Sequence, residues 1–197
     1  MPTIRERIVE VARLFIGCGV TEQRERYVDL LMAPEDPPRM RDYYAGKKTS
    51  GCALVIAGFL RLMGLQSPVL RYYTMGFAMA NLSTIARASN AVRERYDFPE
   101  PGDWVRVGGG SDGGGDEHVF LVEEVTKDKE SACWKVRVIE GGQRDAEGNE
   151  IILESEHRWF YSFGVLWDEH GTIHRMVREI VNIEKLPFPD GEQEQDK

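Results

Sequence analysis

The sequence predicts an α+β domain: a helical half followed by a mostly antiparallel β-sheet. Three observations carry this expectation. Apolar residues recur at helical spacing over roughly residues 1–97. From Pro99 onward the pattern changes to short segments rich in β-branched and aromatic residues, separated by Gly, Asp or Asn. The chain has 197 residues, 42% hydrophobic and 29% charged, which suits one domain with a substantial core. A single domain over 1–188 is expected, its sheet half beginning near residue 98, followed by a flexible acidic tail, PDGEQEQDK, over 189–197.

Ile4, Ile8, Val11, Ala12 and Phe15 place an amphipathic helix at the start. Tyr27, Leu30 and Leu31 mark a second, short helix that stops before Pro34. The run Pro34 to Pro38 cannot continue a helix, because proline lacks the N–H donor and its ring clashes with the preceding turn. A third helix begins near Ser50, carries Cys52, Val55, Ile56, Phe59, Leu60 and Met63 along its apolar side, and ends at Gly64. A fourth is expected within Gly76 to Tyr96, where Leu82, Ile85 and Val92 share a face. The segments DWVRV, HVFLVEEV, CWKVRVIE, EIILE and GTIHRMVREIV then read as strands. GGGSDGGG and RDAEGN between them have loop and turn chemistry.

Composition narrows the function. A net charge of −8 disfavours a nucleic-acid backbone or an anionic membrane as the main partner. A membrane-spanning helix needs about 18 consecutive apolar residues, and the longest uncharged stretch, Tyr72 to Ala86, is shorter and includes Thr, Asn and Ser. The start, MPTIRERIVE, has no apolar signal-peptide core, so cytoplasmic synthesis is expected. Cys18, Cys52 and Cys133 are too few and too unevenly placed for a disulfide framework.

Thr49-Ser50-Gly51-Cys52 is the segment with chemical content. With Ser50 as N-cap, Cys52 falls in the first helical turn, where unpaired N–H groups and the helix dipole stabilise a thiolate. A buried helix cysteine is the plainer alternative. A thiolate nucleophile needs a base, and the base needs an orienting partner. His118 opens HVFLVEEV on the same strand face as Phe120 and Val122, which turns it inward. The next strand ends in Glu140-Gly141-Gly142-Gln143. If the two strands pair, either Gln143 or Glu140 reaches the ring: Gln would orient the neutral imidazole, and Glu would also stabilise its protonated form.

Helix-borne Cys, then a Gly-Asp turn, then His opening a strand, then a polar residue ending the next strand: this order resembles the NlpC/CHAP group of papain-like cysteine peptidases and amidases. The matching pieces are SGCALVIAGFLRLMG around Cys52, PEPGDWVRV around Asp103, HVFLVEEV at His118 and VIEGGQRD at Gln143. The resemblance covers Thr49 to Arg144, about half the chain, and is nearest to the branch found in phage and bacterial cell-wall proteins. It implies a papain-like layout, with the nucleophile helix packed on a mostly antiparallel sheet. It further implies Cys52 as nucleophile, His118 as general base and then acid, Gln143 as third residue with Glu140 as runner-up, and Tyr44 as a substrate contact. Asp103 is expected to be structural. The implied reaction is hydrolysis of a peptidoglycan-type amide, or of another amide substrate, without cofactor or metal. A wall substrate would require delivery by phage lysis or a secretion system. A non-catalytic binding module and an acyltransferase on another substrate are the rivals. Two pieces depart from the family pattern: Gly51 precedes Cys52, and Gly141-Gly142-Gln143 is one residue shorter than the usual Gly-Gly-Asn-Gln.

The remaining features have plainer readings. GGGSDGGG lacks the Gly-Lys-Ser/Thr ending of a phosphate-binding loop. His170 and His174 have helical metal spacing, but Gly171 and Thr172 between them suggest a hairpin turn. His157 alone adds little. Trp159, Phe160, Tyr161, Phe163 and Trp167 are read as sheet core, and Lys47-Lys48 as a solvated loop.

Overall fold

The computed structural model describes residues 2–46, 51–65, 67–71, 78–93, 97–108, 117–127, 133–160, 164–168 and 174–189. Five helices precede the sheet strands: α1 (Ile4–Arg13), α2 (Arg24–Leu31), α3 (Arg39–Ala45), α4 (Cys52–Leu62) and α5 (Ala78–Ala88). Seven strands follow: β1 (Val92–Arg93), β2 (Trp104–Gly108), β3 (His118–Lys127), β4 (Trp134–Arg144), β5 (Glu150–Phe160), β6 (Val165–Asp168) and β7 (His174–Val181).

The helix termini follow from local chemistry. Thr3 caps α1 in a reciprocal box: its hydroxyl accepts from the Glu6 N–H and the Glu6 carboxylate accepts from the Thr3 N–H. At the other end of α4, Gly64 adopts φ +84°. The Leu65 N–H then reaches the Leu60 carbonyl and the Gly64 N–H the Arg61 carbonyl, a Schellman closure that needs a residue tolerant of the left-handed region. The segment after Pro38 forms α3, a helix outside the sequence-based expectation, since a proline just ahead of a helix sacrifices no needed donor. One expectation fails here. Val92 does not share a helix face with Leu82 and Ile85: α5 ends at Ala88, and Val92 pairs with Val181 in β1.

The papain-like expectation, a nucleophile helix packed on an open sheet, is corrected by the strand order. β2 to β6 pair in sequence, β6 pairs with β7, and β7 pairs back with β2. The result is a closed six-stranded antiparallel barrel, with β1 added on β7, in a barrel-dominated α+β fold. Closure has a visible cause in the side chains. Val105, Phe120, Val138, Trp159, Leu166 and Ile180, one from each barrel strand, form a buried core separate from that under the helices. An open sheet would leave this second apolar face in water; curling it on itself buries it. β5, 11 residues long, and β6, absent from the sequence-based strand list, supply the missing arc.

The outer face of the barrel serves the helices. Trp104, Leu121, Ile139 and Val181 join the helical core, and α4 lies against β3 and β4. Asp103 is fully buried and pairs with Arg5 of α1 at 2.6 Å, while its other oxygen accepts from the Glu100 N–H at 3.0 Å. Burial raises its pKa against these contacts. Asp103 thus ties α1 to the entry of β2. Among the described residues, no helix is long and apolar enough to cross a membrane.

Candidate functional site

The site forms where the start of α4 meets the barrel rim. Cys52 is the first residue of α4, after Gly51 as N-cap; Ser50, Lys47 and Lys48 lie outside the described residues. Gly51 has no side chain to cap the helix. The Glu150 carboxylate, at the start of β5 and buried, accepts the Gly51 N–H instead. The Gly19–Ile151 bridge and the Val20 N–H bond to the Glu150 carbonyl at 3.0 Å hold that strand end in place. The buried Tyr27 hydroxyl also flanks Gly51. It sits in the field of Glu150 and of Cys52. Burial first, then the charge of Glu150, raises its pKa strongly and keeps it protonated.

His118 comes from the barrel side. It begins β3 in the same alternation as Phe120 and Val122, which face the barrel interior. Its Nε2 lies 2.5 Å from Glu140 Oε2, and its ring is hydrogen-bonded to Cys52. Glu140 shares the inward face of β4 with Val136 and Val138 and is 4% exposed. Gln143 Nε2 donates to Glu140 Oε2 at 3.1 Å and lies 3.3 Å from His118 Nε2. When His118 carries its Nε2 proton, only the first of these two contacts is a hydrogen bond. The shift in register between Glu140 and Gln143 brings both to the same ring.

Burial would lower the His118 pKa, but the hydrogen bonds to Cys52 and Glu140 and their charges outweigh it and push it up to about 9. Burial would raise Glu140, but His118 and then His157 hold it well below the usual carboxylate range. The two shifts agree on one state, an imidazolium paired with a carboxylate. Glu140 Oε1 is occupied as well: the Ser155 hydroxyl donates to it, and His157 Nε2 lies 3.6 Å away. The carboxylate is thereby fixed on both oxygens.

Gly141 completes the junction. A Cβ there would run into the Val55 side chain on α4, so only glycine lets the helix sit this close beside Glu140.

Of the residues singled out in the sequence, Cys52, His118, Glu140 and Gln143 come together, with Glu140 the nearer partner of the ring. Tyr44 is buried in the helical core, its hydroxyl donating to Asp36 at 3.3 Å. Three further residues belong to the site. Ser155 and His157 could have been found from strand parity, since both alternate with Trp159. Glu150 gave no signal, because a capping carboxylate 99 residues from its helix follows no local rule. The glycine-rich loop over 109–116 and His170 lie outside the described residues, as does the side chain of His174. No cluster of His, Cys, Asp or Glu suited to a metal occurs among the described residues.

The chain matches no model of a known family, no curated protein and no solved structure in comparisons with each.

Proposed function

We propose that the protein is a cysteine-dependent amide hydrolase, a peptidase or amidase, with Cys52 as nucleophile, His118 as base and then acid, Glu140 holding the ring, and Gln143 holding Glu140. The observation that carries this reading is the continuous chain from Cys52 through His118 to Glu140, buried and hydrogen-bonded at each link. Proton transfer from thiol to imidazole gives a thiolate–imidazolium pair, which the helix start and Glu140 both favour.

The thiolate attacks the amide carbonyl carbon. The oxyanion is met by first-turn N–H groups of α4, which no helical carbonyl reaches. His118 gives its proton to the departing amine as the C–N bond breaks, leaving a thioester on Cys52. Water, deprotonated by His118, then attacks the thioester, releasing the acid and regenerating the thiolate and imidazolium. As substrate class we put forward peptidoglycan-type peptide amides, on the motif order around Cys52, Asp103, His118 and Gln143.

The test is the rate of iodoacetamide alkylation at each cysteine against pH, in wild type and His118→Ala. Cys52 is expected to react with an apparent pKa well below the ordinary value of about 8.5, and that advantage is lost without His118. Cys18, whose thiol faces Gln23 at 3.4 Å, provides an internal comparison. A panel of peptide amides, peptidoglycan fragments included, follows with Cys52→Ala as control. Slow labelling of Cys52 that ignores His118, or full turnover in Cys52→Ala, refutes the hydrolase and leaves a binding module.

A further inference from the structure

The barrel mouth holds a cavity of about 160 Å³ beside the cluster just described, lined by Val107, Phe120, Leu166 and Trp167 together with Glu140, Gln143, His157 and Arg175. Arg175 is the unexplained member. It pairs directly across from Leu166 in the β6–β7 ladder and lies two residues from Val177. Both are barrel-core residues. Residues opposed in a ladder, and residues two apart on a strand, share a face. Arg175 therefore projects into the barrel rather than away from it. Among the described residues it makes no hydrogen bond and no ion pair. By contrast, Arg106 and Arg137, on the outer face of the barrel, meet carboxylates: Arg106 pairs with Glu117 and Glu179, and Arg137 with Glu123 and Glu124. A guanidinium aimed into a largely apolar recess is stable only with a counter-charge or with water in its place.

The walls decide what kind of counter-charge fits. Phe120 stacks on His157 at a centroid distance of 5.5 Å, so one side of the recess is flat and aromatic. Val107 and Leu166 close it with aliphatic surface. The volume admits a group of a few heavy atoms, far less than a peptide segment. Glu140 already places a carboxylate in the wall, and its own donors are committed to it. A dianionic phosphate would meet that charge at close range, whereas a single carboxylate can take the fork of Arg175 while its short carbon chain covers the apolar wall.

We propose that the barrel mouth is a binding pocket for the carboxylate end of a small, partly apolar organic acid, with Arg175 as its counter-ion. The pocket does not depend on thiol chemistry, so it stands or falls apart from the hydrolase. If both hold, the acid lies in the cavity that Glu140 and Gln143 also line.

The experiment is an NMR titration following the ring C–H signals of His157, which lines the cavity and stacks on Phe120, with butanoate against butanamide as probes of equal shape, on wild type, Arg175→Gln, Arg175→Lys and Cys52→Ala. Butanoate should saturate, and butanamide should bind about tenfold or more weakly, the scale of a charge-assisted pair. Arg175→Gln should lose the same factor, Arg175→Lys should recover part of it, and Cys52→Ala should bind as wild type does. Equal shifts from acid and amide in wild type overturn the proposal without reference to any variant. So does undiminished butanoate binding in a folded Arg175→Gln protein.

Discussion

Glu140→Gln is the perturbation that reads the candidate site most directly. It keeps the shape of the side chain and removes its charge. The His118 pKa stands at about 9 against an ordinary 6.5, which corresponds to on the order of 3 kcal/mol in favour of the imidazolium. Cys52 and Glu140 are the two groups that supply it. Burial opposes the imidazolium, so Cys52 and Glu140 together supply more than this net figure, and a Glu140 share on the order of 1 kcal/mol changes the equilibrium up to about tenfold. Because the thiolate is stabilised by the imidazolium, losing that share raises the apparent pKa of Cys52 by up to about one unit. The assay is the second-order rate of iodoacetamide modification from pH 5 to 9.5, quantified by mass spectrometry on the peptide carrying Cys52. At pH 6 an unassisted thiol is well under about 1% ionised, so wild type should react far faster than a free thiol there, and Glu140→Gln up to about tenfold more slowly than wild type. A general loosening of the fold would work the other way, exposing a thiol that is 4% accessible and speeding modification at alkaline pH. Superimposable profiles for wild type and Glu140→Gln would refute the role given to Glu140.

Three further outcomes are expected. In a Cys52→Ala background His118 keeps only Glu140 as ionic partner; its folded pKa remains above the unfolded 6.5, so its stabilisation is full below that pH and is lost as pH rises through the folded value. Urea unfolding should show a fall above pH 6.5 of less than about 3 kcal/mol, which Glu140→Gln abolishes; a flat profile in Cys52→Ala would contradict the pairing. Gly141→Ala forces a methyl into Val55 and should cost about 1–3 kcal/mol, part of which returns in a Val55→Ala background; equal costs in both backgrounds would remove the close-approach explanation. Glu150→Ala leaves the Gly51 N–H without its acceptor and should cost about 1–3 kcal/mol, while Glu150→Gln, which retains an oxygen there, should cost clearly less. Equal losses would mean that the N–H bond is not what Glu150 supplies.

Much of the site was legible because it depends on short-range patterns. The alternation His118, Phe120, Val122 predicts an inward imidazole, and it faces the barrel interior. The apolar period from Cys52 to Met63 predicts a helix with Cys52 in its first turn, and α4 begins at that residue. What was not legible depends on long-range pairing. Closure rests on β6 meeting β7 and β7 meeting β2, and Val165–Asp168 is too short to announce itself as a strand. The choice between Glu140 and Gln143 turns on a bulge with Gly142 at φ +73°, which ordinary strand counting does not anticipate. Tyr44 was placed by its distance in sequence from Cys52, but its helix, α3, buries it beside Asp36.

The junction at Gly141 has a consequence for how the protein fails. Cys52 belongs to the helical core, whereas His118 and Glu140 belong to the rim of the barrel core, and the two cores are separate clusters sharing the strands between them. Neither layer holds a complete reactive pair. Sub-global opening, in which the helices lift while the strands remain closed, separates thiol from imidazole with little loss of β-structure. In rising denaturant, any reactivity that Cys52 draws from His118, as the proposed function requires, should be lost at a lower concentration than the one that melts the sheet, so chemistry at this thiol gauges the docking of the two layers more sensitively than any measure of secondary structure.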